Sequence, residues 1–447
     1  MASDAASYDV SCQVQHTLFR LYFKNRPPKV VKAGECFAAE LYLANELGMS
    51  HAMVPSDSSS TPSSSSSSRQ SVGLQLTAIP WTPVTGSHQS PAPPCQLHVA
   101  VKNPRDLLVR KSGSASLQVA IYMMPSMGRR PSSVLSVTAV LVVQVDPKCV
   151  AGGGILRAAS LPFTLVTNNT AAGGSNALVD AWDGFSGTRL LDLSPIGPLA
   201  LILEQSAYEV LGGKVWDAGW MVAECLRQEG YRRLLHDHDA GRHACLELGS
   251  GTGVGGIAYY LSGGMRQPMV VCTDLPDVMP ICEANLTLNF GAESDRKADI
   301  RGRPLPWGDD AALTAVSDEF GPFSLIMLCD VLYNSDSYGP LIATLRRAID
   351  TSHPPAILLS YRYRDPCVGQ FFQQLGDMCH IYDITDVPLP ADERRIDAPE
   401  RLAAPRRRSN VLRAALMRAG SDGGDGCGGG GALVSCEDIW VLWCVPQ

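Results

Sequence analysis

The sequence predicts an α/β domain of the doubly wound, Rossmann-like kind, preceded by an all-β sandwich. From Ala244 to Gly253 an apolar run carrying one acidic residue opens into three glycines at every second position, the way a buried parallel strand enters a nucleotide-binding loop. Beyond that loop, strand-like and helix-like stretches alternate, which is the βαβ rhythm of a parallel sheet. Before residue 168 the stretches are strand-like throughout, with no convincing amphipathic helix among them.

The 447 residues, 45% hydrophobic and 18% charged, suffice for two cores rather than one. In the N-terminal half, strand-like stretches fall at 12–24, 36–46, 72–79, 96–102, 115–123, 133–145 and 161–167. Leu117, Val119 and Ile121 share one face and Gln118, Ala120 and Tyr122 the other, the period of a half-buried strand. Short strands separated by Pro- and Gly-containing turns suggest an immunoglobulin-like sandwich over residues 1–167. The Ser-rich tract at 56–71 cannot bury apolar surface and reads as a disordered loop inserted between strands. Residues 168–198, rich in Gly and Asn at their start, read as a linker.

The α/β domain is expected over 199–447. Val215 to Gln228 reads as a helix with Val215, Ala218, Val222 and Cys225 on one face and Gly230 as its stop. Strands follow at 243–248, 269–274, 323–329 and 356–361, with helices at 254–262, 277–289 and 338–349 between them, and two last strands at 378–385 and 438–445. The stretch 387–437, with Arg406 to Arg408 and a Gly-rich run, reads as an exposed insertion. A chain beginning near Asn176 should then fold and bind cofactor alone, since this half holds its own strands and loop.

A net charge of −7 argues against nucleic acid as the main partner, because phosphate binding draws on a surplus of Lys and Arg. The fourteen cysteines include no C-x-x-C pair and no zinc-ligand spacing, so no metal site is expected and most should be reduced, buried thiols. The first residues lack a basic end followed by an apolar stretch, and no run reaches about 18 apolar residues. The expectation is a cytoplasmic protein without a membrane partner, the nucleus being the alternative.

Gly249, Gly251 and Gly253 leave no Cβ between backbone and ligand, and with Ser250 they let backbone amides approach it. Asp274, at the end of the second strand, can accept two hydrogen bonds from ribose hydroxyls. Gly251, Gly253 and Gly256 also satisfy G-x-G-x-x-G, so the loop alone leaves open a nicotinamide cofactor or S-adenosylmethionine.

Five segments decide the matter by resemblance. Val215-Trp216-Asp217-Ala218, Leu246 to Gly253, Thr273-Asp274-Leu275, Leu305-Pro306-Trp307-Gly308 and Cys329-Asp330-Val331-Leu332-Tyr333 resemble, in this order, the motifs of the seven-β-strand protein-lysine methyltransferases. In particular they resemble the methyltransferase-like 21 type, whose group modifies chaperones, AAA ATPases and elongation factors. The resemblance covers roughly residues 199 to 365 and the final strand. It implies S-adenosyl-L-methionine as cofactor, with Trp216 and Trp307 lining its pocket, Cys329 presenting backbone near the adenosyl group, and Glu247 orienting the loop or the cofactor's ammonium. It further implies Asp330 and Tyr333 at the mouth as catalytic residues; since a neutral amine must attack and a carboxylate would favour its ammonium form, Asp330 is read as capturing and orienting the amine, and Tyr333 as shaping the channel or accepting a hydrogen bond from the amine. The chain departs from the family in Cys329, where a small Ala is usual, in its long last insertion and in its added N-terminal domain. Two other readings stand beside a lysine-directed enzyme. One is an RNA or small-molecule methyltransferase on the same core, the other a non-catalytic binding protein on a methyltransferase scaffold.

Overall fold

The computed structural model describes residues 19–44, 72–82, 95–109, 113–125, 136–145, 155–167, 185–193, 197–205, 210–238, 244–263, 268–291, 299–364, 367–385 and 439–447. The Ser-rich tract, the whole of the expected insertion with its Arg406 to Arg408 run, and the first part of the expected linker lie outside them.

Parallel strands buried on both faces read as apolar runs, and Ala244–Leu248 (β1) is buried at every position. With Met269–Asp274 (β2), Ile300–Pro304 (β3), Leu325–Cys329 (β4), Ala356–Arg362 (β5), Cys379–Asp383 (β6) and Ile439–Pro446 (β7), it forms a sheet ordered 3-2-1-4-5-7-6 among the described residues. β1 to β5 run parallel, and β7 lies antiparallel between β5 and β6. Helices cover both faces: Asp217–Leu226 (α1), Glu229–His238 (α2), Val254–Ser262 (α3) and Met279–Phe290 (α4) pack into one core, and Asp310–Phe320 (α5), Tyr338–Ile349 (α6) and Val368–Gly376 (α7) into the other. Because the sheet runs outward in both directions from β1 and β4, a crevice opens beyond the carboxyl ends of these two strands.

Three features depart from expectation. Gly230 does not end a helix; α1 stops at Leu226 and Gly230 lies inside α2. β3, α5 and α7 have no counterpart among the expected elements. The third is the boundary between the two halves. The N-terminal half forms two β sheets, of five and eight strands among the described residues, enclosing a core that includes Leu21, Phe37, Leu117, Val119, Leu141 and Phe163. Gly187–Asp192, inside the expected linker, and Leu199–Glu204, inside the expected α/β domain, are the last two strands of the larger sheet. Leu288 of α4 packs against that sheet with Leu190, Leu201 and Leu203.

The contact between the halves is also polar. Asn285 of α4 accepts the Leu203 N–H at 2.6 Å and donates to the Leu203 carbonyl at 3.2 Å. Asn289 does the same for Leu201, at 2.9 and 2.7 Å. The helix thereby satisfies backbone groups of a strand that ends its sheet among the described residues.

Candidate functional site

The crevice beyond β1 and β4 is where the marked residues meet. The loop after β1 turns at Gly249, Gly251 and Gly253, whose φ angles of +72°, +51° and +76° lie in the left-handed region that an L side chain resists. It is tied to β2: the Gly249 and Ser250 N–H groups both donate to the Thr273 carbonyl at 2.9 Å. Each glycine also makes room for a neighbour. A Cβ on Gly249 would lie 2.7 Å from Trp307 and one on Gly251 2.8 Å from the Gly212 carbonyl, so the indole and the turn at 211–213 close over the loop.

Asp274 ends β2 beside this loop. Its Oδ2 accepts the Gly251 N–H and its Oδ1 the Leu275 N–H, both at 2.7 Å. Each oxygen keeps a further acceptor position for a hydroxyl. Burial raises the Asp274 pKa against these two amides, which favour the charged form. A partly open carboxylate suits the ribose of S-adenosylmethionine, whereas the Gly249, Ser250 and Gly251 N–H groups expected to face the ligand are taken by the Thr273 carbonyl and by Asp274 itself.

Glu247 is fully buried, and its Oε2 accepts the Gly256 N–H at 3.0 Å in the first turn of α3, directly after the loop. A Cβ on Gly256 would come within 2.8 Å of that oxygen, and one on Gly255 within 2.7 Å of the Cys329 sulfur. The last glycine of the G-x-G-x-x-G pattern thus accommodates an internal carboxylate, which removes the need for a pyrophosphate to explain it. Cys329 turns its thiol toward Glu247, and burial with that carboxylate pushes the thiol pKa well up.

After β4 the chain turns sharply at Asp330, whose φ is +60°. Its side chain is almost wholly buried and held in a bidentate pair by Arg364, at 2.6 and 2.8 Å, with the Arg362 N–H donating to Oδ1 at 3.2 Å. The expectation of an open carboxylate awaiting an amine is therefore not met: Arg364 already occupies it. Tyr333, by contrast, is 52% exposed. Partial burial and the nearby Asp274 and Asp330 carboxylates raise its pKa, so its hydroxyl stays protonated at neutral pH. Trp216 caps α1, donates Nε1–H to the Leu211 carbonyl at 3.2 Å, and lies 5.7 Å below the Arg364 guanidinium. Ser250 is buried, its hydroxyl 3.8 Å from the Cys282 sulfur.

Sequence reasoning missed Arg364 as the partner of Asp330, the Gly212 turn, and Asn285, which also donates to the Thr252 carbonyl of the loop at 2.9 Å. The alternation Tyr361-Arg362-Tyr363-Arg364 was the available signal for the first: Tyr361 faces the core, and the two arginines reach the acids Asp217 and Asp330. Among the described residues no cluster of His, Cys, Asp and Glu could hold a metal ion.

Residues 197–378 match the family model described as lysine methyltransferase. Protein-lysine N-methyltransferase EFM6 of Saccharomyces cerevisiae is 27% identical over 207 residues, 42% of this chain and 79% of that protein. Protein N-lysine methyltransferase METTL21A of Mus musculus is 32% identical over 121 residues, 27% of this chain and 50% of that protein. The protein N-terminal and lysine N-methyltransferase EFM7 of Candida glabrata is 25% identical over 175 residues, 39% of this chain and 64% of that protein. The chain thus spans between half and four-fifths of the length of these relatives, and its N-terminal strands before residue 197 lie outside the family match. Residues 197–378, less than half of the chain, are thus similar to the lysine methyltransferase family.

Proposed function

We propose that this protein transfers a methyl group from S-adenosylmethionine to the side-chain amine of a lysine in a protein substrate. The observation that carries the proposal is the meeting of the glycine loop, Asp274 and the Asp330 to Tyr333 loop at one crevice, inside the segment that matches the family. When bound, the cofactor supplies a sulfonium methyl group, and the protein's task is to align an amine with it in a dry channel. Gly249 to Gly253 and Asp274 would hold the cofactor, with Trp216 and Trp307 beside it.

The amine must be neutral to attack. From a free lysine pKa of about 10.4, deprotonation at pH 7 costs roughly 4.6 kcal/mol. An unpaired carboxylate at the mouth would raise that cost by favouring ammonium. The Arg364 guanidinium cancels the Asp330 charge, so Asp330 fixes the loop and leaves Tyr333 Oη, an acceptor as well as a donor, to meet the amine N–H.

By resemblance the substrate belongs to the chaperones, AAA ATPases or elongation factors, and the two-sheet N-terminal half suits an immunoglobulin-like unit that recruits it. A cytoplasmic or nuclear location is proposed with it. The test is to incubate purified protein with tritiated S-adenosylmethionine and an extract lacking it, then hydrolyse the labelled proteins. Label recovered as methyl-lysine is expected. Label confined to RNA or small molecules would overturn the substrate class, and no label with cofactor bound would favour a non-catalytic scaffold.

A further inference from the structure

The most enclosed arginine at the contact between the halves reaches into the site. Arg20, on the N-terminal strand Phe19–Phe23, is fully buried. Its Nη1 donates to the Val215 carbonyl at 2.6 Å and its Nη2 to the Asp217 carboxylate, so one guanidinium grips the residues on both sides of Trp216. Trp216 caps α1 without a side-chain capping bond of its own. Its indole donates to the Leu211 carbonyl, and its backbone is carried by the segment around it, which Glu204 secures further by accepting the Val215 N–H at 3.0 Å. The second oxygen of Asp217 takes Arg362 at 3.1 Å, and the Arg362 backbone N–H reaches Asp330. A planar five-donor fork can hold a carbonyl and a carboxylate at once, which an ammonium cannot do with the same geometry. Simple packing does not require it, since buried ion pairs are commonly replaceable by apolar residues at no loss of stability.

We propose that Arg20 is a positioning residue of the cofactor site, acting from the N-terminal half through Trp216. This rests on the reading of the crevice as the S-adenosylmethionine site. Under it, the added β half completes the site and is more than an appendage for recruitment.

The test uses the full chain and S-adenosylhomocysteine, titrated by calorimetry well below each variant's melting temperature. Arg20→Met should weaken binding about tenfold or more, and Arg20→Lys, which keeps the charge and loses the fork, by an intermediate factor. Arg157→Gln, which breaks the Arg157–Asp192 pair of the same half, should leave affinity unchanged. In a Trp216→Ala background, Arg20→Lys should cost little more, because the two residues act as one unit. Should Arg20→Met not fold, the lysine variant and the double-mutant comparison decide. Wild-type affinity in the folded Arg20 variants, or full additivity with Trp216→Ala, overturns the positioning role alone. A wild-type protein that does not bind S-adenosylhomocysteine overturns the site reading on which it stands.

Discussion

Glu247 carries a titration that the fold must accommodate. Burial pushes its pKa up to about 7, against the Gly256 N–H and the Cys272 and Cys329 thiols, which favour the charged form. The folded state therefore holds a proton that the unfolded chain releases near 4.5. Its contribution to stability is fully present below that lower value and is lost as pH rises through about 7. At about 1.36 kcal/mol per unit the loss approaches ~3 kcal/mol. Glu247→Gln, which mimics the protonated form, should match wild type near pH 4 and melt higher than wild type at pH 8. Thermal melts over a pH series without ligand measure this, and two parallel curves would show that the carboxylate does not titrate there. Asp274→Ala should act on binding instead. It removes acceptors for ribose hydroxyls, charge-assisted bonds of about 1.5–3 kcal/mol each, and frees the Gly251 N–H. Titration with S-adenosylhomocysteine should show a loss of tenfold or more, with NAD bound by neither protein; tight NAD binding by wild type would refute the cofactor. These glycines and Asp274 are readable from sequence because strand, loop and acid follow at fixed local spacing. The Glu247 side chain and the Arg364 partner of Asp330 are not, since both depend on what packs around them.

At the scale of elements, apolar periodicity located the central strands well and failed where little is buried. β3 reads Ile-Arg-Gly-Arg-Pro, with one buried residue, because it is the edge of its sheet. α5 buries only Leu313 and Val316, and starts on the Asp309 carboxylate, which accepts the Ala312 N–H at 3.0 Å. α4 shows the opposite case, a helix whose polar residues are its contact. Asn285 serves the Leu203 N–H and carbonyl and the Thr252 carbonyl, and is fully buried. Asn285→Leu strands three backbone groups, at about 1–3 kcal/mol for a group left unsatisfied. Urea unfolding should register a loss of several kcal/mol, roughly, with affinity for S-adenosylhomocysteine reduced through the Thr252 loop. A variant as stable as wild type would mean that water or a shifted strand replaces the amide.

At the scale of the whole molecule, composition divides the chain near residue 168, but the fold does not divide there. Sequence shows where strands give way to alternating strands and helices; it does not show that the strands at 187–192 and 199–204 pair backward into the first half while their faces serve the second. A chain beginning at Asn176 would keep Arg189, Glu204 and Lys214 and lose what surrounds them. The Arg189 guanidinium would lose the Leu21 carbonyl at 2.9 Å and the Tyr22 ring 4.0 Å away, and Lys214 the Tyr22 hydroxyl at 2.8 Å. Strand Gly187–Asp192 would lose its partner at Ala159, and Leu190, Leu201 and Leu203 would lose the cover of Trp81, Val140 and Val142. Exposed apolar strand surface of this kind is a site for aggregation. The truncated chain should therefore be insoluble or unfolded, and the full chain should unfold in one cooperative calorimetric transition rather than two. Separate transitions, or a soluble truncated protein that binds S-adenosylhomocysteine as tightly as the full chain, would show the halves to be independent and would count equally against the role assigned to Arg20.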